Sequence, residues 1–179
     1  MRKNLRRFIA LLTAVVIIFG MNAYASSFPD VKSDASYAEA VDALTALNII
    51  KGYEDGTFGP DKQITRAEFV AIVLRTLGLE YAAEGSSGTT RFRDVPSNHW
   101  ASGYVNLAYQ SKLIDGYTNG NFGPSDKVTY DQAIKIIVSA LGYKLKADSL
   151  GGFPAGYLLV ANQESITTGA LGRVGEAST

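Results

Sequence analysis

The chain has no cysteine, one histidine (His99) and one tryptophan (Trp100) in 179 residues. Without cysteine it has no disulfides, no Cys-based zinc site, no thiolate nucleophile and no lipidated N-terminal cysteine. A single histidine argues against a His-rich metal site and against a Ser–His–Asp hydrolase. An excess of either charge is also missing, since 17 Lys+Arg stand against 17 Asp+Glu. Phosphate binding wants a basic surface, so nucleic acid is not an expected partner. The apolar content of 46% and aromatic content of 11% argue against wholesale disorder. The length suits one domain or one compact array with a real core.

The charge balance is uneven along the chain. Residues 1–7 (MRKNLRR) carry four positive charges, and residues 8–21 (FIALLTAVVIIFGM) are an unbroken apolar run. Ala23-Tyr24-Ala25 then supplies an A-x-A pattern. Together these read as a secretory signal peptide over 1–25, cleaved after Ala25. The apolar run falls short of the roughly 20 residues of a membrane span. An uncleaved anchor is the alternative reading; otherwise membrane contact is transient. The leader holds Arg2, Lys3, Arg6 and Arg7, so the mature chain keeps 13 basic residues against 17 acidic ones, a net charge of −4. An exported chain without cysteine relies on packing for stability.

The mature sequence repeats itself at an offset of 64. Phe28-Pro29-Asp30-Val31 returns as Phe92-Arg93-Asp94-Val95, and GYEDGTFGP from Gly52 returns as GYTNGNFGP from Gly116. Residues 28–79 and 92–143 share 16 identities in 52 ungapped positions, which establishes a duplication. Each copy reads helix–turn–helix. Val41, Leu44 and Leu47 recur at helical spacing between Tyr37 and Asn48; Trp100, Tyr104, Val105 and Ala108 belong to the matching helix of the second copy. Residues 52–60 are turn chemistry. Thr65-Arg66-Ala67-Glu68 and Thr129-Tyr130-Asp131-Gln132 are capping boxes that open second helices. The first continues into the stripe Phe69, Ile72, Val73 and Leu77, the second into Ile136, Ile137 and Leu141. Residues 80–91 (EYAAEGSSGTTR) read as a flexible surface linker. Tyr157, Ala161, Gln163, Ile166 and Gly169 echo Tyr104, Ala108, Gln110, Leu113 and Gly116 at an offset of 53. Residues 153–169 thus read as the first helix of a third, truncated copy. The chain divides into leader 1–25, repeat 26–79, linker 80–91, repeat 92–143, and a third copy with tail at 144–179.

F-x-D-V, W-A, G-Y-x-D-G-x-F-x-P and T-R-A-E, in this order, resemble the S-layer homology (SLH) domain of bacterial surface proteins. The resemblance is good over 28–79, moderate over 92–143 and weak over 153–169. It implies an all-α fold in which helix–loop–helix repeats pack as a pseudo-trimeric bundle, here incomplete. It also implies a secreted protein of the bacterial cell wall or S-layer that binds secondary cell-wall polysaccharide, often pyruvylated, in grooves between repeats.

Several residues are candidates for that sugar. Arg66 is not needed for capping and sits where a cation opposes the helix dipole. Beside unpaired amides at a helix N-terminus it would make an anion site. It reads otherwise as a solvated or ion-paired arginine. The second copy has Tyr130 in its place. Trp100 reads equally as a platform for a sugar ring or as a core residue. Tyr53 and Tyr117 could line a groove, whereas Phe58 and Phe122 in the same loops would plug the core. Gly52 and Gly116 read as left-handed caps, and Asp30 and Asp94 as acceptors for local backbone amides. Thr65, Glu68, Thr129 and Gln132 are structural. Asp55-Gly56 lacks the spaced acids and terminal Glu of a calcium loop, and His99 reads as a surface or helix-start residue. No metal or cofactor is expected. The acids fall in turns, caps and linkers, which argues against a two-carboxylate glycosidase. Self-association or packing with other surface proteins is the remaining alternative, and a longer parent chain could carry an enzyme downstream. If the first helices form a central bundle, the single helix of the third copy would leave a face uncovered.

Overall fold

A computed structural model of the chain describes residues 27–168; the leader and the tail beyond 168, Gly169 included, lie outside the described residues. Seven helices appear there: α1 (Ala38–Ala46), α2 (Arg66–Thr76), α3 (Glu80–Gly85), α4 (Ser102–Gln110), α5 (Tyr130–Ala140), α6 (Lys144–Ser149) and α7 (Ala155–Gln163). No β-strand is present among the described residues, only one isolated antiparallel bridge between Thr65 and Lys127. The fold is all-α. None of these helices is long and apolar enough to cross a membrane.

The helices start where the sequence supplies caps. At α2, Thr65 N–H donates to Glu68 Oε2 at 2.7 Å, and Glu68 N–H donates back to Thr65 Oγ1 at 3.3 Å. At α5, Thr129 N–H donates to Gln132 Oε1 at 3.3 Å, so Gln closes the box as Glu does. The F-x-D-V segment is tied to the turn loop by its aspartate. Asp30 accepts from Phe58 and Gly59 N–H at 2.8 and 2.7 Å; Asp94 accepts from Phe122 and Gly123 N–H at the same two distances. These amides lie 28 and 29 residues away in sequence, so the bonds are not local as expected but staple the two ends of the first-helix unit. The Phe58 and Gly59 donors hold Asp30 below the usual carboxylate range. Gly52 and Gly116 take φ of +68° and +78°, but they are loop glycines beyond the ends of α1 and α4 and not the expected helix caps; the left-handed residues that follow those helices are Asn48 and Lys112, at +57° and +59°. A Cβ at either would lie 2.3 or 2.2 Å from the ring of Phe28 or Phe92, so only glycine fits.

The segment 80–91 is not simply a linker. Its first half is α3, with Ala83 fully buried, and α6 repeats it at the same offset of 64 with Ala147 fully buried. The two short helices form the junctions between repeats. Helix α4 packs on α2 and α3, and α7 packs on α5 and α6. The second helices α2 and α5 also touch each other, whereas the first helices α1, α4 and α7 do not. A central bundle of first helices is therefore not formed: the second helices α2 and α5 meet instead, and α4 and α7 each dock on the helices of the preceding repeat. One face of α7 is covered, by Ile134, Val138 and Ala147 around Tyr157, Val160 and Ala161, while Leu159 on the helix stays exposed. Helix α1 has no preceding repeat among the described residues. It packs only into a small cluster of Phe28, Val31, Ala38 and Val41, and leaves Tyr37 and Leu47 exposed.

The main core joins the first two repeats. Val70, Leu74, Val105, Ala108 and Phe122 are at most 1% exposed within it. Of these, the larger side chains of Val70, Leu74, Val105 and Phe122 each contribute about 1.5–3 kcal/mol of burial.

Candidate functional site

The site grows out of a contact between repeats. The strand-like entry to α2 lies antiparallel to the matching loop of the second repeat. Val128 N–H donates to Ile64 O, Arg66 N–H to Asp126 O and Ala67 N–H to Pro124 O, at 3.1, 2.9 and 3.2 Å. The amides at the start of α2 are thus already taken by carbonyls of repeat two. The expected anion site on unpaired amides is not there; what remains available is the side chain of Arg66.

That side chain is clamped. Arg66 is 6% exposed, and its Nε donates to Phe122 O at 2.9 Å. Its guanidinium lies 4.7 Å from the ring centre of Tyr117 and 4.9 Å from that of Phe122. Burial pushes its pKa down, opposed by charge interactions with Tyr117, Asp126 and Asp94. No ion pair involves it among the described residues. A buried cation whose nearby carboxylates, Asp126 and Asp94, form no ion pair with it can take an incoming anion, the low-dielectric attraction working against the cost of desolvating the anion.

Arg66 lines an open cleft of about 140 Å³ with Asp115, Tyr117, Gln132, Lys135 and Phe153. The cleft draws on all three copies: Arg66 from the first, Tyr117, Gln132 and Lys135 from the second, Phe153 from the third. It is smaller than the roughly 300–1,000 Å³ of an enclosed small-molecule pocket. Its size suits one sugar unit or the acidic substituent of one. Tyr117 O–H donates to Asp126 Oδ2 at 3.0 Å, and burial raises the Tyr117 pKa. Lys135 bonds Asp115 at 2.5 Å and lies 5.3 Å from the Phe153 ring centre. Among the described residues no three His, Asp or Glu side chains are placed to hold a metal ion.

The other candidates lie elsewhere. Trp100 lies in the turn before α4 rather than in the helix, and at 56% exposed it is not a core residue; it stacks on His99 and meets Tyr104 edge-on at 6.2 Å. It stands at the junction of repeats one and two, outside the cleft. His99 Nδ1 accepts from Ala101 N–H at 3.1 Å, at the start of α4. Tyr53 lies under Lys62, which is 3.9 Å from its ring centre, and burial followed by the Glu68 charge raises its pKa. Tyr130 is half-buried against the cluster around Tyr157 and does not line the cleft. Lys135, Asp115 and Phe153 were not expected as site residues. The offset of 53 places Phe153 opposite Trp100, and Phe153 meets Tyr157 edge-on as Trp100 meets Tyr104.

The junction of repeats one and two carries its own polar network. Glu80 accepts from Lys51 at 2.7 Å, Arg75 at 3.1 Å and Tyr104 O–H at 2.7 Å. The Lys51 bond, then that of Tyr104, brings its pKa down to about 2. In the unfolded chain Glu80 titrates near the ordinary value of about 4.3. Its contribution to stability is therefore present above that value and lost as pH falls toward 2. The wild type should exceed Glu80→Gln in denaturation midpoint by a constant margin above pH 5, and the margin should close between pH 4.5 and 2. Paired urea titrations across that range check this, and a margin independent of pH would contradict it.

The comparisons with known proteins agree with this architecture. The model of the "S-layer homology domain" family matches residues 27–70 and 91–134. A "Cell surface protein" of Thermoanaerobacter kivui is 41% identical over 93% of this chain and 22% of its own length. A "Surface layer protein" of Brevibacillus choshinensis is 42% identical over 63% of the chain and 10% of its own length. A "Cellulosome-anchoring protein" of Acetivibrio thermocellus is 33% identical over 64% of the chain and 26% of its own length. The chain thus spans about a quarter or less of these relatives. Two family matches fall on the two helix–loop–helix copies joined through α3 and the Thr65–Lys127 bridge, and the chain belongs to the S-layer homology domain proteins of the bacterial cell surface.

Proposed function

We propose that this chain is a non-catalytic wall-binding module that anchors an exported protein to the bacterial cell wall through an acidic secondary wall polysaccharide. The observation that carries this reading is Arg66, a buried arginine with no ion-pair partner among the described residues, facing an open cleft. Its guanidinium meets a sugar carboxylate, such as that of a pyruvyl group, in the forked geometry that suits a planar acid. Phe153 and Tyr117 supply apolar faces for the ring. Trp100, exposed at the first junction beside Tyr104, offers a separate aromatic face without Arg66. The mature net charge of −4 removes bulk attraction to an acidic polymer, so a local cation has to supply it.

Cosedimentation of the mature chain with purified sacculi tests this. Intact sacculi should retain the protein, and sacculi stripped of secondary polymer should not. Retention on stripped sacculi would refute polymer binding and favour protein–protein association, for which exposed apolar side chains such as Leu47, Tyr81 and Leu145 are available.

A further inference from the structure

The two junctions between repeats are built alike but charged differently. At an offset of 64, Lys51 corresponds to Asp115, Glu68 to Gln132, Ala71 to Lys135 and Glu80 to Lys144. At the first junction the cations Lys51 and Arg75 are both bound to Glu80, and Ala71 offers none. Glu68 adds a further negative charge, held by the N–H and hydroxyl of Thr65. At the second junction Gln132 replaces that acid, and Lys135 projects into the cleft that also holds Arg66. The Lys135 side chain is 21% exposed, but that of its partner Asp115 is 57% exposed, so water screens the pair from the Asp115 side and weakens it. An incoming carboxylate can therefore compete with the solvent-exposed Asp115 for Lys135. Asp115 is then left at the cleft edge as an acceptor for sugar hydroxyls.

We propose that Lys135 is a second ligand-binding cation and the determinant that makes the junction of repeats two and three selective for a carboxylate-bearing glycan, while the junction of repeats one and two does not take the acidic polymer. This rests on the wall-binding reading above. Lys135 is one residue before Ile136, whose side chain is in the main core, so the helix register holds it in place. Its ammonium already lies near two aromatic rings, 5.3 Å from the centre of Phe153 and 5.9 Å from that of Tyr157. A sugar ring on Phe153 would thus sit beside it.

The test is an equilibrium titration of the mature chain with isolated wall polymer and with the same polymer after chemical reduction of its carboxyl groups. Lys135→Ala should weaken binding of the native polymer about tenfold or more, as loss of a charge-assisted contact does. Lys135→Arg should retain it. Against reduced polymer, wild type and Lys135→Ala should bind equally weakly. Lys51→Ala, the matching change at the first junction, should leave native binding unchanged. Circular dichroism confirms that each variant is folded. Wild-type affinity for native polymer with no loss in Lys135→Ala overturns this inference and leaves the wall-binding reading standing. Equal losses in Lys51→Ala and Lys135→Ala overturn the selectivity between junctions. No wild-type binding to native polymer refutes the wall-binding reading itself.

Discussion

Replacing Gly103 by alanine should lower stability by about 1–3 kcal/mol, the usual cost of forcing extra volume into a packed interface. A Cβ at Gly103 would lie 2.0 Å from the carbonyl oxygen of Ala83 and 2.7 Å from Ser87 Oγ. The serine can rotate, but the carbonyl belongs to α3, so the whole α3–α4 crossing has to open. Gly156 meets Ala147 O at the same 2.0 Å, and Gly156→Ala should act alike on the α6–α7 crossing. Gly85→Ala is the internal control, because nothing lies within 4 Å of its Cβ position. A helical glycine in open space should gain about 0.5–1 kcal/mol on becoming alanine. Thermal melts read the difference at roughly 2–4 °C per kcal/mol for a chain of this size. If Gly103→Ala melts with the wild type, the junction is not the close-packed contact described here.

The second large effect concerns Arg66. Arg66→Gln should reduce affinity for the acidic polymer by about 100-fold, the scale seen when one partner of a desolvated charge pair is removed. Arg66→Lys keeps the charge but loses the fork, and should fall between wild type and Arg66→Gln. Both variants also alter the Nε bond to Phe122 O, so some loss of stability accompanies the loss of binding. Binding is therefore measured well below the melting point of each variant. Unchanged affinity in a folded Arg66→Gln would remove the cleft from the mechanism.

Much of this was legible in the sequence, for identifiable reasons. The capping boxes at Thr65 and Thr129 are local signals and form as read; the positive φ of Gly52 and Gly116 and the acceptor role of Asp30 and Asp94 were also legible, but not that the glycines sit in the loop rather than at a helix cap, nor that the aspartates reach amides 28 and 29 residues away. Helices α3 and α6 were missed because six residues hold too little pattern to read. EYAAEG and KLKADS share only the buried alanine, 83 or 147, and their helicity comes from docking on a neighbouring repeat rather than from propensity. The fate of the amides at Arg66 and Ala67 was equally hidden. Their acceptors, Asp126 O and Pro124 O, are backbone groups about 60 residues away, and no side-chain pattern announces them. Trp100 is the lone tryptophan, yet the cleft is lined by Phe153 at the corresponding place. The cleft is lined from three copies, and the surroundings of a position change from one junction to the next.

The most direct test of the account is the carboxylate itself. The wild-type mature chain is titrated with native wall polymer and with the carboxyl-reduced form, by calorimetry. The account predicts a single class of sites for the native polymer and an affinity at least about 100-fold weaker for the reduced one. Equal affinity for both forms would show that Arg66 and its cleft do not read an acidic sugar.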